Sequence, residues 1–395
     1  MTLTLLLDLD DTLLDTNLET FVPAYFRALS SHLAEQTVPN ETVHALLAGM
    51  YLMNESEDPT RTLEEVFETD FYPQLGVSKQ DLVPILDEFY EIIFPRLAAH
   101  THQRSEAVQF IEWAFSCGYR IAIATDPLFP RKATRHRIRW AGLDPERFEL
   151  ISSFEHFHFS KTHSAYYAEV LGRLGWPEGP VLMVGNDVAR DLVPAHRLGL
   201  KTFLIDGESE SSRGFEAGRG KLADLRAWLE SIDVTTLEPS FDSRDAVMAI
   251  LISTPAVLRS LLTPLSEEQW RHEPTREDWA MNEIVCHLRD TEREIHQLQI
   301  RLMMEKEGAF IPRPDTGVWA SEREYLNING KAALTDFALA RIENFKTLKA
   351  LDERIWSRSA RHAIFGPTDF LEVVSFMADH DRLHIQQAWK TLKSV

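Results

Sequence analysis

Two acids one residue apart, Asp8 and Asp10, close the apolar run Leu5-Leu6-Leu7 near the start of the chain. Neighbouring carboxylates repel and tolerate one another only with a cation or a shared proton between them. Beside a divalent cation, one of them can attack as a nucleophile while the other, kept protonated, donates to a leaving oxygen. Complementary groups stand further on. Thr125 ends the apolar stretch 120–124 and offers a hydroxyl to a phosphate oxygen, and Lys161 can neutralise phosphate and nucleophile together. Asp187 and Asp191, four apart in Gly185-Asn186-Asp187-Val188-Ala189-Arg190-Asp191, are hard oxygen donors. They suit Mg²⁺, which takes one or two carboxylates and keeps several waters. Each feature also has an ordinary reading: an acidic turn at Asp8, a helix cap at Thr125, a surface charge at Lys161, a first-turn helix stabiliser at Asp191. Their succession at four strand ends, in order, is what chance does not supply.

A second constellation lies in the other half. His380 and His384, at i and i+4, share one face of a helix, and His287 lies on a helix whose apolar face carries Ile284, Leu288 and Ile295. Three neutral imidazoles with open positions make a catalytic rather than a structural metal site, suited to Zn²⁺ or Ni²⁺. The competing reading makes His287 a buried, hydrogen-bonded histidine and places the other two on a solvated face. At helical spacing Glu283 and Glu294 fall on the face of His287, as candidate hydrogen-bond partners of the ligands. His296 falls on the opposite face and reads as surface, and Cys286, rotated ~100° from His287, reads as core.

The elements that must position these groups differ between the halves. Runs at 4–7, 120–124, 149–152, 181–184 and 202–205 are short, apolar on both faces and followed by polar residues or glycine, as buried parallel strands are. Helical stretches between them predict an α/β, Rossmann-like doubly wound parallel sheet. Residues 17–97 carry no strand pattern, and Phe21, Tyr25, Leu29 and Leu33 recur at helical spacing. That is too much chain for a crossover, and it predicts a helical insertion over one end of the sheet. The tract 207–220 is rich in Gly, Ser and Glu, 221–232 reads as a last helix, and Pro239 and Ser240 mark a linker. Beyond it, helical patterns at 243–262, 281–307, 334–351 and 368–392, with almost no strand signal, predict an all-α four-helix bundle. Ser266–Gln269 reads as a capping box. The expected domains are 1–233 (core 1–15 and 100–233, cap about 16–99), a linker at 234–241, and a bundle at 242–395.

With 41 Lys and Arg against 61 Asp and Glu in 395 residues, the net charge of −20 disfavours nucleic acid and anionic membrane as partners. Cys117 and Cys286 are too few for a disulfide framework and fit a reducing compartment. No apolar run approaches the length of a membrane span, and the opening lacks a secretory signal, so the expected location is cytoplasmic.

The motifs in the first half resemble those of the haloacid-dehalogenase-like hydrolase superfamily, over about 1–232: Asp8, Asp10 and Thr12, then Thr125, Lys161, and the acids following Gly185. The resemblance implies that Asp8 forms an aspartyl-phosphate and that Asp10 acts as acid and then base. It further implies that Thr125 and Lys161 hold the phosphoryl group, that Mg²⁺ is bound by Asp8, Asp10, Asp187 and Asp191, and that the insertion is a cap selecting substrate. Asn186 departs from the commoner motif, which has Asp directly after Gly. Asp10 argues against the dehalogenase branch, where no leaving alkoxide needs a proton. The second half, about 242–392, resembles the DinB-like family and related thiol-dependent transferases, through Leu265-Ser266, Trp279, Glu283, His287-Leu288 and Glu292, and through His380 to His384-Ile385-Gln386-Gln387. That resemblance implies metal ligation by His287, His380 and His384. The expected function is a capped, Mg²⁺-dependent phosphatase for a small phosphorylated metabolite, fused to a three-histidine metal bundle of thiol-transferase or hydrolase type. The alternative keeps the fold but makes the first domain a non-hydrolytic phospho-ligand binder, with the bundle as the active module or as a homodimerising one.

Overall fold

Runs of β-branched and leucine residues with no polar face have nowhere to go but the middle of a sheet, and there the structure places them. The computed structural model describes residues 2–206, 214–275 and 278–394. The chain divides into two compact units, Met1–Val170 with Pro177–Ser240, and Leu171–Trp176 with Phe241–Val395.

In the first unit, β1 (Thr4–Leu7) leads to an antiparallel ribbon of β2 (Leu14–Thr16) and β3 (Thr101–Gln103). Then follow β4 (Arg120–Ile123), β5 (Leu150–Ile151), β6 (Val181–Gly185), β7 (Lys201–Ile205) and β8 (Gly218–Gly220). The main sheet is parallel throughout, in the order β5-β4-β1-β6-β7-β8. The strand order reverses about β1, so the crevice of a doubly wound sheet opens at the carboxyl end of that strand. Register fixes the neighbours of that crevice, since Leu7 pairs with Ile123 on one side and Val184 on the other. Most expected strands match within a residue, although 149–152 shrinks to Leu150–Ile151. The ribbon and β8 had no sequence signal because three-residue strands are too short to show a period. Residues 207–213 of the Gly-, Ser- and Glu-rich tract lie outside the described residues.

The insertion leaves and re-enters through the ribbon. Its helices are Leu18–His32, Pro39–Glu55, Leu63–Leu75 and Lys79–Glu88, followed by a π turn at Phe89–Ile93 and a 3-10 stretch at Phe94–His100. Asn17 caps the first by accepting from the Thr20 amide, and Thr62 with Glu65 forms a capping box on the third. Phe21, Tyr25, Leu29 and Leu33 are all buried, as their spacing requires. They share a core with Phe71, Phe89 and Phe94.

In the second unit four long helical segments occur at Arg244–Leu262, Met281–Glu305 (with a π turn at Thr291–His296), Gly330–Lys349 and Phe370–Leu392. The first and second each pack against the third and fourth. The capping box at Ser266–Gln269 forms, with Ser266 N–H donating to the Gln269 side chain. The helix Arg244–Leu262 is long and apolar enough by composition to span a membrane, at mean hydropathy 1.6, which the sequence reading did not pick out. Ser253, Thr254 and Pro255 break its apolar run, and 72% of that stretch is buried, as befits a bundle core helix. A three-stranded sheet was also not expected: β9 (Ala309–Ile311), β10 (Ser359–His362) and β11 (Gly366–Asp369), in the order β11-β10-β9. Its last strand reads Gly-Pro-Thr-Asp, a poor strand former in sequence, and it exists through the hairpin turn that Gly366 permits at φ +79.

Within the cap, the half-buried Glu64 lies beside Glu68 and Glu155 at the edge of an aromatic-lined cavity of about 190 Å³. Burial, then the charge of Glu68, pushes its carboxyl up to about 7. Folding therefore raises this group above its ordinary 4.5, so the folded state binds the extra proton between those values. The cap should be most stable at acid pH and lose that contribution as pH rises through about 7. Glu64→Gln should flatten this part of the profile, and denaturation midpoints of both proteins at pH 5 and pH 8 will test it. An unchanged difference between the two pH values would assign the dependence elsewhere.

Candidate functional site

Asp8 follows β1 directly, and its amide donates to the Val184 carbonyl at 2.9 Å, which holds the residue between β4 and β6. Asp11 then turns with φ 55, and the Leu13 and Leu14 amides return to Leu9 O, both at 2.9 Å. The turn brings Thr12 back, so that its hydroxyl donates to Asp8 Oδ2 at 3.1 Å and lies 3.3 Å from Asn186 Oδ1. Lys161 Nζ donates to Asp8 Oδ1 at 2.7 Å and pairs with Asp191 Oδ1 as well. All three charged groups are buried. Burial alone would push the Lys161 ammonium down, but Asp191 and Asp8 override it and hold it well above its usual range. Asp191 is held up by burial and by Asp8, against the pull of Lys161. Lys161 is thus neither a surface charge nor a bystander.

Asp191 reaches this position because Gly185 lets it. A Cβ at Gly185 would lie 2.1 Å from Asp191 Oδ2. Asp187 does not join the group. It caps the π turn Val188–Leu192, its carboxylate accepting from the Ala189 and Arg190 amides at 2.8 and 3.2 Å. In return its own amide donates to Asp191 Oδ2 at 3.0 Å. Asp10 is turned aside too, accepting from Thr16 Oγ1 at 2.8 Å and pairing with Arg137. Thr125 is buried just past β4, at the same end of the sheet as Asp8. Its carbonyl accepts from Ser152 Oγ at 2.6 Å and Tyr166 OH at 2.8 Å, which fixes the strand end.

Two cations of this site escaped the sequence reading. Arg137 is 2% exposed, and burial pushes its guanidinium down to about 10. Its signal was its place on the buried face of Arg131–Trp140, one turn from Ala133 and next to Thr134 and Ile138. Arg190 pairs with Asp126 and lies 3.4 Å from the Asn54 side chain at the end of a cap helix. Arg104, just past β3, is tied to Asp206 at 2.9 Å.

In the second unit, His287 Nε2 and His384 Nε2 lie 3.0 and 3.2 Å from His380 Nε2. All three ligand atoms fall within 4.8 Å of one another. Two nitrogens bound 2.0–2.1 Å from a tetrahedral ion are about 3.3 Å apart, so these spacings, which also suit hydrogen bonds between the rings, are compatible with a shared cation. Burial, then neighbouring histidines, pushes His287 down to about 3 and His380 well below its usual value, which leaves neutral donors. Gln387 Oε1 accepts from His384 Nδ1 at 2.9 Å, and Trp279 stacks on that ring at 5.8 Å. The donor set is nitrogen only, whereas the first unit gathers oxygen.

The helical wheel misplaced two residues here. His296 is buried, its ring 5.6 Å from that of His380 and its Nδ1 2.9 Å from Glu292 Oε2. Glu294 is at the surface, paired with Arg323, and Glu283 only caps the Ala280 amide at 3.0 Å. The π turn Thr291–His296 is the cause: one extra residue per turn sets everything after it back by ~100°. Behind the cluster, the buried Arg341 bonds Glu292 at 2.7 Å and Asp381 at 3.1 Å, and Asn344 holds the other Glu292 oxygen at 2.8 Å. Cys286 is buried, outside the histidine cluster.

An open parallel sheet with acids and a lysine at its switch point, under a helical cap, defines a hydrolase of the α/β class. Residues 2–199, half the chain, match the haloacid dehalogenase-like hydrolase family, and the chain belongs to it. Residues 250–388 match the DinB superfamily. No curated protein matches the chain. Among solved structures, a HAD phosphatase from Thermococcus onnurineus is 18% identical, covering 58% of this chain and 98% of its own, with TM-score 0.40. The putative HAD-hydrolase YfnB from Bacillus subtilis is 21% identical over 58% of this chain and 99% of its own, with TM-score 0.40. YfiT from Bacillus subtilis, described as a probable metal-dependent hydrolase with an unusual four-helix bundle topology, is 16% identical over 40% of this chain and 89% of its own, with TM-score 0.36.

Two tests follow from this geometry. Lys161→Met leaves two buried carboxylates facing each other and should cost ~3–5 kcal/mol, with Mg²⁺ restoring part of the loss in a thermal melt. A melt that neither drops nor responds to Mg²⁺ would show that the trio is not coupled. Protein purified without chelator should carry about one transition metal per chain, and His380→Ala should lose most of it in elemental analysis. Undiminished metal in that variant, and in His287→Ala and His384→Ala, would exclude these histidines as ligands.

Proposed function

We propose that the first unit is a Mg²⁺-dependent phosphatase for small phosphomonoesters. The observation that carries it is the buried Lys161 bridging Asp8 and Asp191 at the carboxyl end of β1. Asp8 Oδ attacks phosphorus while the P–O bond to the alcohol breaks, and the leaving oxygen takes its proton from Asp10. Water then attacks the aspartyl-phosphate, gives a proton to Asp10, and releases phosphate with Asp8 regenerated. Thr125 and Lys161 hold the phosphoryl oxygens through both steps. Asp8, Asp191 and the Asn186 amide oxygen form a hard-oxygen set suited to Mg²⁺, and the ion supplies charge neutralisation that lets a phosphate dianion approach a carboxylate. For the proton transfers, Asp10 must leave Arg137 and Thr16.

That last requirement favours one competing reading. With Asp10 engaged by Arg137 and Asp187 spent on a cap, the domain would bind a phosphorylated ligand without turning it over. In either case the second unit is a three-histidine site for Zn²⁺ or Ni²⁺ with open positions, of thiol-transferase or hydrolase type.

A panel of small phosphomonoesters, assayed with and without Mg²⁺, separates the two readings. Turnover should need Mg²⁺ and vanish in Asp8→Asn, since an amide does not attack phosphorus as a carboxylate does. Asp10→Asn should slow turnover by ~10²–10⁴-fold. Full activity in Asp8→Asn would remove the nucleophile assignment, and binding without turnover across the panel would favour the ligand-binding reading.

A further inference from the structure

Beside the histidine cluster of the second unit lies a cleft of about 100 Å³ that none of the assigned roles uses. His380 lines it, with the His296 ring 5.6 Å away, and so do Arg313 and His362. Phe365 and Phe376, tilted at 36° with ring centroids 4.5 Å apart, also line it. In a chain of net charge −20, no Asp or Glu among the described residues lines this cleft.

Its polar groups have defined roles. His362 Nδ1 accepts from the Ile364 and Phe365 amides, both at 3.3 Å, so in the neutral ring the proton sits on Nε2. Burial and the nearby Arg313 charge hold that ring neutral. Among the described residues, no acidic side chain pairs with Arg313. The cleft therefore presents a guanidinium and an N–H donor with nothing negative beside them. Glu292 is fixed by Arg341 and Asn344 and accepts a hydrogen bond from His296 Nδ1.

We propose that this cleft binds a small organic carboxylate, with its acid group on Arg313 and His362 Nε2, its short apolar body along Phe365 and Phe376, and its far end against His380 and His296. A volume of about 100 Å³ is roughly that of three waters, which limits the body to a few carbons. The proposal extends the metal-site reading above by naming a substrate class for it, while the anion subsite rests on its own donors.

The probe is 4,4,4-trifluorobutyrate, followed by fluorine NMR with the full-length protein, with its amide as the uncharged control. The carboxylate should bind with Kd of ~1 mM or tighter, and the amide should not bind at roughly 10 mM. Arg313→Gln should weaken binding by about tenfold or more, and Arg313→Lys should stay within roughly threefold of wild type. One equivalent of Co²⁺ should broaden the bound fluorine signal. Equal binding of acid and amide, or indifference to Arg313→Gln, overturns the proposal. Co²⁺ bound at the histidines without broadening also overturns it, because the cleft would not then open on the cluster. Failure of Co²⁺ to bind overturns the metal reading instead, and the Arg313 series alone then decides the carboxylate subsite.

Discussion

The Lys161 ammonium sits where two strand ends deliver two carboxylates, and the first unit is organised around that trio. Neither Asp8 nor Asp191 has enough water to stand alone, and burying either without a counterion would cost several kcal/mol. The sheet makes the problem and also solves it. Parallel register aligns the ends of β1 and β6, Gly185 leaves room for Asp191 to lean in, and Asp187 pins the turn from outside. With the Asp191 carboxyl pushed up to about 7 by burial, the three groups carry at most one net negative charge, which attracts a divalent cation and repels a phosphate dianion.

The bundle meets the same constraint with different chemistry. Its three Nε2 atoms are neutral, so they crowd together without charge repulsion, and the charges lie one layer back. There Arg341 satisfies Glu292 and Asp381 at once, a buried network in which each acid has a cationic partner. Glu292 in turn orients His296. A hydrogen-bonded acid behind an imidazole fixes its tautomer, the service that outer partners render to metal-binding histidines. The two units thus separate oxygen donors with a lysine from nitrogen donors with a hidden arginine, donor sets suited to a hard cation and to a borderline one respectively.

How much of this was legible in the sequence depended on whether local periodicity survived folding. The buried strands and the cap helices were readable, since Leu5 to Leu7 and Phe21, Tyr25, Leu29 and Leu33 keep the period of their element throughout. Asp8, Lys161 and Asp191 were readable as types at strand ends, but their mutual contact was not, because it spans 153 residues between Asp8 and Lys161. The errors cluster where the period breaks. A π turn carried His296 inward and Glu294 outward, and another made Asp187 a cap rather than a companion of Asp191. Arg137 was hidden for another reason: an arginine on an apolar face looks like an error in the pattern until its partner, Asp10, is known.

Those two π turns also say something about the sites themselves. A π turn opens the hydrogen-bonded spacing to i+5, lengthens some bonds and costs stability, so it persists only where the displaced residue gains more than the helix loses. At Val188–Leu192 the gain is Asp191 against Lys161. At Thr291–His296 it is the pairing of Glu292 with both His296 and Arg341. In both of these turns the irregularity carries an acid into the interior to meet its cation, whereas the π turn Phe89–Ile93 buries Phe89 and Tyr90 instead. An α-helix in the same place would present that acid ~100° away. The local cost of the π turn and the electrostatic gain of the site are therefore two sides of one arrangement, and straightening either turn would be expected to strand a buried charge.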